Sequence, residues 1–228
     1  MFQAEISDRL VAAELQAHFT CATIGRQIIV LEQTNSTNDA ILEVARPQEA
    51  AVSLGRRSLG EGGSPSFQTN EGLVLFAERQ SAARGQRGNR WESAPGKGLW
   101  FSILLCPEIE INDSARLTIW AIEAISDVIR TELSLEPTIK LPNDVQIHGR
   151  KVAGVLVEMR AQEKASHLAI VGIGINVNHA LQDFPPELRN RAISLAMALH
   201  RPVDRQKFAV AILRNLDRTY RTRFAPKH

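Results

Sequence analysis

Between Thr138 and Arg160 the chain reads TIKLPNDVQIHGRKVAGVLVEMR, and few folds accept such a run. Three stretches rich in Val, Ile and Leu alternate with two short breaks, Pro-Asn-Asp and His-Gly-Arg-Lys, whose residue types favour tight turns. Breaks this short join strands as hairpins; a parallel crossover needs a dozen or more residues. A further strand, HLAIVGIGINVN, follows almost at once. GLVLFAE and GLWFSILL read as two more strands around a long loop, and QIIVLEQ as another near the N-terminus.

Helical signals lie between and after these strands. Ser7 or Asp8 can cap a first helix with Leu10, Val11 and Leu15 on one face, and TNSTNDAILEVA predicts a helix from about Asn38 to Ala45. Asn112, Asp113 or Ser114 starts a strongly amphipathic helix that turns Leu117, Ala121, Ala124, Ile125 and Val128 inward. Two more are expected: Pro186 to Leu199, and from Asp204 as N-cap to about Arg223 with Phe208, Ala211, Ile212 and Leu216 in one stripe. The implied class is α+β: a mixed, mainly antiparallel sheet covered by helices, not a doubly wound parallel one. Residues 46–72, rich in Gly, Ser and Pro, read as a long mobile connection, the least ordered internal segment apart from the basic loop.

The 228 residues are enough for one main domain. Lys+Arg 27 against Asp+Glu 25 gives +2, so any basic partner site must be local. Cys21 and Cys106 show no disulfide or zinc spacing and read as buried thiols. The N-terminus has no uninterrupted apolar stretch of signal-peptide type, and LAIVGIGINV falls well short of the roughly 20 residues a spanning helix needs. A cytoplasmic protein that does not enter membranes is expected.

Residues 78–100, ERQSAARGQRGNRWESAPGKGLW, put Arg84, Arg87, Arg90 and Lys97 on a glycine-containing backbone. Such a loop can wrap a phosphate with guanidinium forks and free N–H groups and close over a ligand, or it can be a solvated basic loop. APGKGLW lacks the spacing and hydroxyl of a P-loop, and GIGIN is not GxGxxG, so a nucleotide site must be of another kind. Lys140, Asn143, Asp144 and Lys151 gather around two short turns. Lys151 either faces a pocket, where partial desolvation strengthens its pull on an anion, or stays in water. Asp144 either helps hold a metal or completes an Asx-turn. Ser36 and Thr37 can meet a polar ligand, cap a helix, or both. Asn176, in an apolar strand, needs a backbone or ligand partner if buried. No Ser/His/Asp or Cys/His arrangement supports covalent catalysis.

Four blocks in this order, STND, ERQSAARGQRGNRW, KLPNDVQIHGRKVAGVLVE and GIGINVN, resemble the catalytic core of the biotin protein ligases over about residues 24 to 178. The resemblance implies that family's sheet-and-helix catalytic domain and a two-step reaction. Biotin and ATP give biotinyl-5′-AMP and pyrophosphate, with magnesium assisting, and the biotinyl group then passes to a lysine of a biotin carboxyl carrier domain. By correspondence, Ser36, Thr37, Asn38 and Gln80 line the biotin side, with Arg84 and the Gly85–Gln86 backbone closing over the ligand. Lys151 contacts both the biotin carboxyl and the phosphate, which makes Lys151 and Arg84 the expected catalytic residues. Arg87, Trp91, Asn143 and Asn176 fall to the nucleotide, Trp91 near adenine unless it only anchors the loop, and Asp144 to the metal.

The pattern departs from the family's at several places: its usual GRGRxG has Ala83 for the first Gly and Gln86 for the second Arg, and its KWPND has Leu141 for Trp. Gln86 lacks a fixed charge, which predicts weaker retention of the adenylate. The whole of 1–228 is expected to be one catalytic domain, with neither the N-terminal DNA-binding domain of repressor-type relatives nor the small C-terminal β-barrel of others. DNA binding is therefore not expected. Relatives include monomers and homodimers, and the pattern is compatible with either. The rival readings are a lipoate or octanoate ligase or transferase of the same fold, and an RNA-binding arm formed by the Arg-Gly loop.

Overall fold

The computed structural model describes residues 8–19, 23–46, 70–162 and 167–224. Ser7, Cys21, most of the 46–72 connection and the side chain of Arg87 lie outside the described residues.

Strands β1 (Gln27–Thr34), β2 (Leu73–Gln80), β3 (Gly98–Leu105), β4 (Thr138–Lys140), β5 (Asp144–Ile147), β6 (Arg150–Arg160) and β7 (Leu168–Asn176) form one sheet in the order β1-β2-β3-β7-β6-β5-β4. The β1–β2 pair is parallel and the remaining pairs are antiparallel. The exception has a simple cause. The β1–β2 connection is long enough to carry helix α2 (Thr37–Val44), whereas the turns of the β4–β5–β6 run allow only hairpins. The mixed, mainly antiparallel sheet expected from the turns is therefore the sheet observed.

Alternation along β6 and β7 separates the two sheet faces. Val155 pairs with Ile173 and Val157 with Val171, while Gly154 pairs with Gly174, Leu156 with Gly172 and Glu158 with Ile170. Val155, Val171, Ile173 and Ile175 join the main core with α3 (Ala115–Leu133) and α5 (Arg205–Phe224). All five inward positions expected in α3 are buried. Trp120 of α3 meets Tyr220 at a tilt and Phe224 edge-on, both in α5, and donates from Nε1 to Thr219 Oγ1 at 2.8 Å. On the other face, Ala40, Ile41 and Leu42 of α2 pack on Leu73, Leu75, Leu104 and Ile170 in a smaller core. Helix α2 covers only part of that face, so the rest stays open above β3, β7 and β6.

The helix expected over Pro186 to Leu199 does not form as one element. A 3-10 turn at Pro186–Leu188 is followed by an extended stretch and then by α4 (Leu195–Leu199). Strand-type pairing takes the middle of the segment: Lys151 N–H donates to Arg191 O at 2.8 Å, and Ile193 N–H donates to Lys151 O at 3.0 Å. Ser194 then caps α4, its Oγ accepting from Met197 N–H. At the N-terminus, α1 (Ala12–Gln16) starts later than the capping residues suggest, because residues 8–11 are used as a strap. Asp8 accepts from Asn178 Nδ2, and Leu10 N–H donates to Glu78 Oε1 at 2.8 Å. Leu10 and Leu15 are buried, but Val11 is exposed. Asp204 does cap α5, accepting from Lys207 N–H at 2.9 Å, whereas α3 follows a 3-10 turn and has no side-chain cap.

Candidate active site

The open part of the sheet face is a cleft with a glycine floor. An ideal Cβ on Gly172 would lie 2.4 Å from Asn38 Oδ1, and one on Gly174 would lie 2.6 Å from Trp91 Cε2. One on Gly154 would lie 2.8 Å from both Trp91 Cζ3 and Lys151 Cε. Only residues without a side chain allow the walls to approach the strands this closely.

One wall is the N-terminus of α2, where the helix dipole favours negative charge or acceptor atoms. Ser36 occupies the N-cap position but makes no capping bond, and it is one of the residues that line the cleft. Thr37 donates from its N–H at 2.8 Å and from Oγ1 at 3.2 Å to Gln80 Oε1, at the end of β2. These bonds fix the Gln80 amide with its oxygen toward α2, so its Nε2 is the end available to a ligand. Asn38, only 4% exposed, places Oδ1 at 2.6 Å from Ser102 Oγ and donates from Nδ2 to Glu158 Oε2 at 2.8 Å. Its amide holds the wall together.

The second wall is the basic loop, which is folded back on itself. Gln80 N–H donates to Ser93 Oγ, which donates to Gln80 O at 2.8 Å; Trp91 N–H donates to Ala83 O, and Gly85 N–H to Asn89 O. Arg84 places a two-pronged guanidinium on Asp39 at 2.6 and 2.8 Å and reaches Glu158 Oε1 at 3.4 Å. The Arg84 hydrogen bonds hold the Asp39 carboxyl below the usual carboxylate range, and the same pairing raises Arg84 above the usual guanidinium range. Arg90 instead turns outward to Glu92. Gln86 begins a 3-10 turn beyond the cleft rim.

At the third side stands Lys151. Its N–H and carbonyl are both taken by the 191–193 segment, and its Nζ lies 2.6 Å from Asp144 Oδ1 and 4.9 Å from the centre of the Trp91 ring. Asn143 fastens the preceding turn to β6, its Nδ2 donating to Val155 O at 2.9 Å. Asn176, 5% exposed, donates to Ile193 O at 3.2 Å and to Lys151 O at 3.4 Å, so its partners here are backbone groups behind Lys151 and it does not line the cleft. The Trp91 indole lies over the glycine floor, edge-on to Trp100, with Nε1 buried and unbonded. A flat apolar face beside a fixed cation is thus set opposite a wall of hydrogen-bonding groups.

A family model described as the biotin/lipoate A/B protein ligase family matches residues 51–176. The chain belongs to this family. It is 38% identical over 151 residues to the bifunctional ligase/repressor BirA of Bacillus subtilis, covering 66% of this chain and 46% of that protein. To the biotin–[acetyl-CoA-carboxylase] ligase of Mycobacterium tuberculosis it is 28% identical over 196 residues, covering 84% of this chain and 63% of that protein. The fold matches the biotin protein ligase from Aquifex aeolicus in complex with biotin and ATP with a TM-score of 0.66 at 28% identity, covering 88% of this chain and 74% of that one. The chain spans about half the length of the Bacillus relatives.

In this biotin/lipoate ligase-family chain, Ser36, Thr37, Asn38, Gln80, Arg84, Gly85, Trp91, Asn143 and Lys151 share the one cleft, while Asp144 reaches it through Lys151. Sequence reasoning did not single out Asp39, Ser102, Glu158 or the three floor glycines. The floor had a signal: Gly172 and Gly174 sit two apart among Ile170, Val171, Ile173 and Ile175, hence on one face. Ser102 likewise interrupts an apolar run. No group of three or more His, Cys, Asp or Glu is arranged to hold a metal among the described residues, nor is any helix there long and apolar enough to cross a membrane.

Proposed function

We propose that the chain carries a biotin protein ligase activity: it joins biotin to AMP at the expense of ATP and passes the biotinyl group to a lysine of a carrier domain, in the cytoplasm where ATP is supplied. The observation that carries this reading is the convergence of the α2 N-terminus, the arginine loop and Lys151 on one glycine-floored cleft. The family membership and the Aquifex likeness support it.

In the first step a biotin carboxylate oxygen forms a bond to the α-phosphorus and pyrophosphate leaves. Negative charge gathers on the phosphorus oxygens, and a cation fixed beforehand stabilises it without reorganising. Lys151 suits that role: its backbone is immobilised by the 191–193 segment and its ammonium is held in place by Asp144 at 2.6 Å. Ser36 Oγ and Gln80 Nε2 supply hydrogen bonds to a polar head group, the Trp91 ring supplies a flat face for a base, and the loop keeps water from the mixed anhydride. In the second step the carrier's lysine amine attacks the acyl carbon and AMP leaves.

The residues fit magnesium brought in with the nucleotide. Asp144 Oδ1 is buried and makes no hydrogen bond of good geometry despite its ion pair, and magnesium is typically held by one or two carboxylates plus substrate phosphates. Asp144 would hold the ion, which neutralises phosphate charge.

The test is mass spectrometry of a biotin carrier domain incubated with the protein, biotin, ATP and magnesium; a gain of one biotinyl group is expected. Pyrophosphate exchange that responds to lipoate and not to biotin would overturn the reading in favour of a lipoate enzyme.

A further inference from the structure

We propose that Asp39 and Glu158 are positioning residues that pin the first half of the basic loop through Arg84, and that this clasp sets the affinity for the acid substrate and leaves the affinity for the nucleotide largely unchanged. The inference deepens the ligase reading and rests on it.

Three observations support it. Arg84 meets Asp39 with both prongs of its fork, at 2.6 and 2.8 Å, a geometry that fixes direction as well as distance and that a lysine could not reproduce. Glu158 serves two elements at once: Oε1 lies 3.4 Å from Arg84 Nη2, and Oε2 accepts from Asn38 Nδ2 at 2.8 Å. One carboxylate on β6 therefore joins the loop to the helix N-terminus that bears Ser36 and Thr37. The clasp is also local to one end of the cleft. Asp39 lies in the first turn of α2, whereas Lys151 is held by the 191–193 segment and the Trp91 ring rests on the glycine floor; Trp91 shares the loop through its N–H to Ala83 O, but neither Lys151 nor Trp91 bonds Asp39 or Glu158. The next arginine with a described side chain, Arg90, pairs outward with Glu92, so Arg84 is the described cation through which the loop grips this wall.

A loop half already docked does not have to be ordered when the acid binds, so removing the pin should appear first as weaker acid binding. The clasp is partly exposed, with side-chain exposures of 42% for Arg84, 48% for Asp39 and 36% for Glu158, so a moderate and salt-sensitive effect is expected.

The experiment is calorimetric titration of the full chain with biotin and, in parallel, with lipoate, alongside steady-state kinetics in ATP, for Asp39→Asn, Glu158→Gln, Arg84→Gln and the Asp39→Asn/Arg84→Gln double variant. Biotin Kd should rise about five- to tenfold in Asp39→Asn and less in Glu158→Gln, with the ATP KM within about twofold of the parent. Asp39→Glu should restore part of the loss. The double variant should bind no more weakly than Arg84→Gln alone, and the difference from the parent should shrink at about 0.5 M salt. Unchanged biotin Kd, an ATP KM rising in step with it, or additive losses in the double variant would overturn the clasp. If the parent binds lipoate and not biotin, the ligase reading falls, and the same comparisons made with lipoate still decide for or against the clasp. Thermal melts of each variant confirm that the affinities are those of folded protein.

Discussion

Val155, Val171, Ile173 and Ile175 point from β6 and β7 into the core under α3 and α5, whereas the residues set between them, Gly154, Gly172 and Gly174, leave the opposite face bare. The same two strands thus carry a packing surface and a binding surface, one residue out of phase. The first is made of β-branched side chains that fill space. On the second, the missing side chains make room, and the chemistry comes from elements that overhang it. Damage to one face should cost stability and spare binding; damage to the other should do the reverse.

The sharpest test of that separation is Lys151→Ala. Ligase turnover should fall by about a thousandfold, the loss typical when a fixed charge-stabilising group is removed, while the melting temperature stays close to the parent's. On the packed face, Ile125→Ala beneath the sheet should lower unfolding free energy by about 3 kcal/mol in urea titrations, with biotin and ATP affinities unchanged. If both variants lost stability and activity together, the two faces would not be independent. Gly174→Ala probes the floor directly. The added methyl would meet the Trp91 ring at 2.6 Å, so the indole has to move, and the ATP KM should rise about tenfold with little change in stability.

Outside the cleft, one buried group predicts a pH effect on stability. His179, stacked on Phe184 and edge-on to Trp100, is held down to about 4 from 6.5, chiefly by burial. Its neutral form is the one the fold accepts. Stability is therefore full above pH 6.5 and falls as the pH drops toward 4, by at most about 1.4 kcal/mol per pH unit. His179→Phe should flatten that part of a stability-against-pH curve; an unchanged slope would assign it to other groups. The smallest expected effect is at Gln86. Gln86→Arg adds a fixed charge to the loop and should slow release of the adenylate by about threefold in a rapid-quench assay, since a cation on a half-buried loop turn contributes little.

Much of this was legible from local pattern. The hairpin signals in 138–160 dictated an antiparallel sheet, and the inward stripe of α3 and the Asp204 cap of α5 followed from helical spacing, because turns, caps and amphipathic faces are set by residues a few positions apart. Of the nine cleft residues, Ser36, Thr37, Arg84, Asn143 and Lys151 stood out by residue type and spacing, each with a bland alternative left open, and the resemblance of four blocks added Asn38, Gln80, Gly85 and Trp91. Where the reading failed, a distant partner had intervened. The expected 186–199 helix gave way to pairing with Lys151, and residues 8–11 became a strap on Glu78, Asn178 and α5.

The sequence by itself determined the element types, the mostly antiparallel pairing and the residue kinds that chemistry at this cleft requires. Only the tertiary structure decided which of them meet. It turned the Asn38 amide into a brace between Ser102 and Glu158, gave Asn176 backbone partners behind Lys151, and brought Arg84 onto Asp39 and Glu158, positions 45 and 74 residues away. The reason is physical. A side chain's hydrogen-bonding capacity is written in its type, but its partner is chosen by the register of strands and the placement of a helix end, and those are fixed only when the whole sheet has formed.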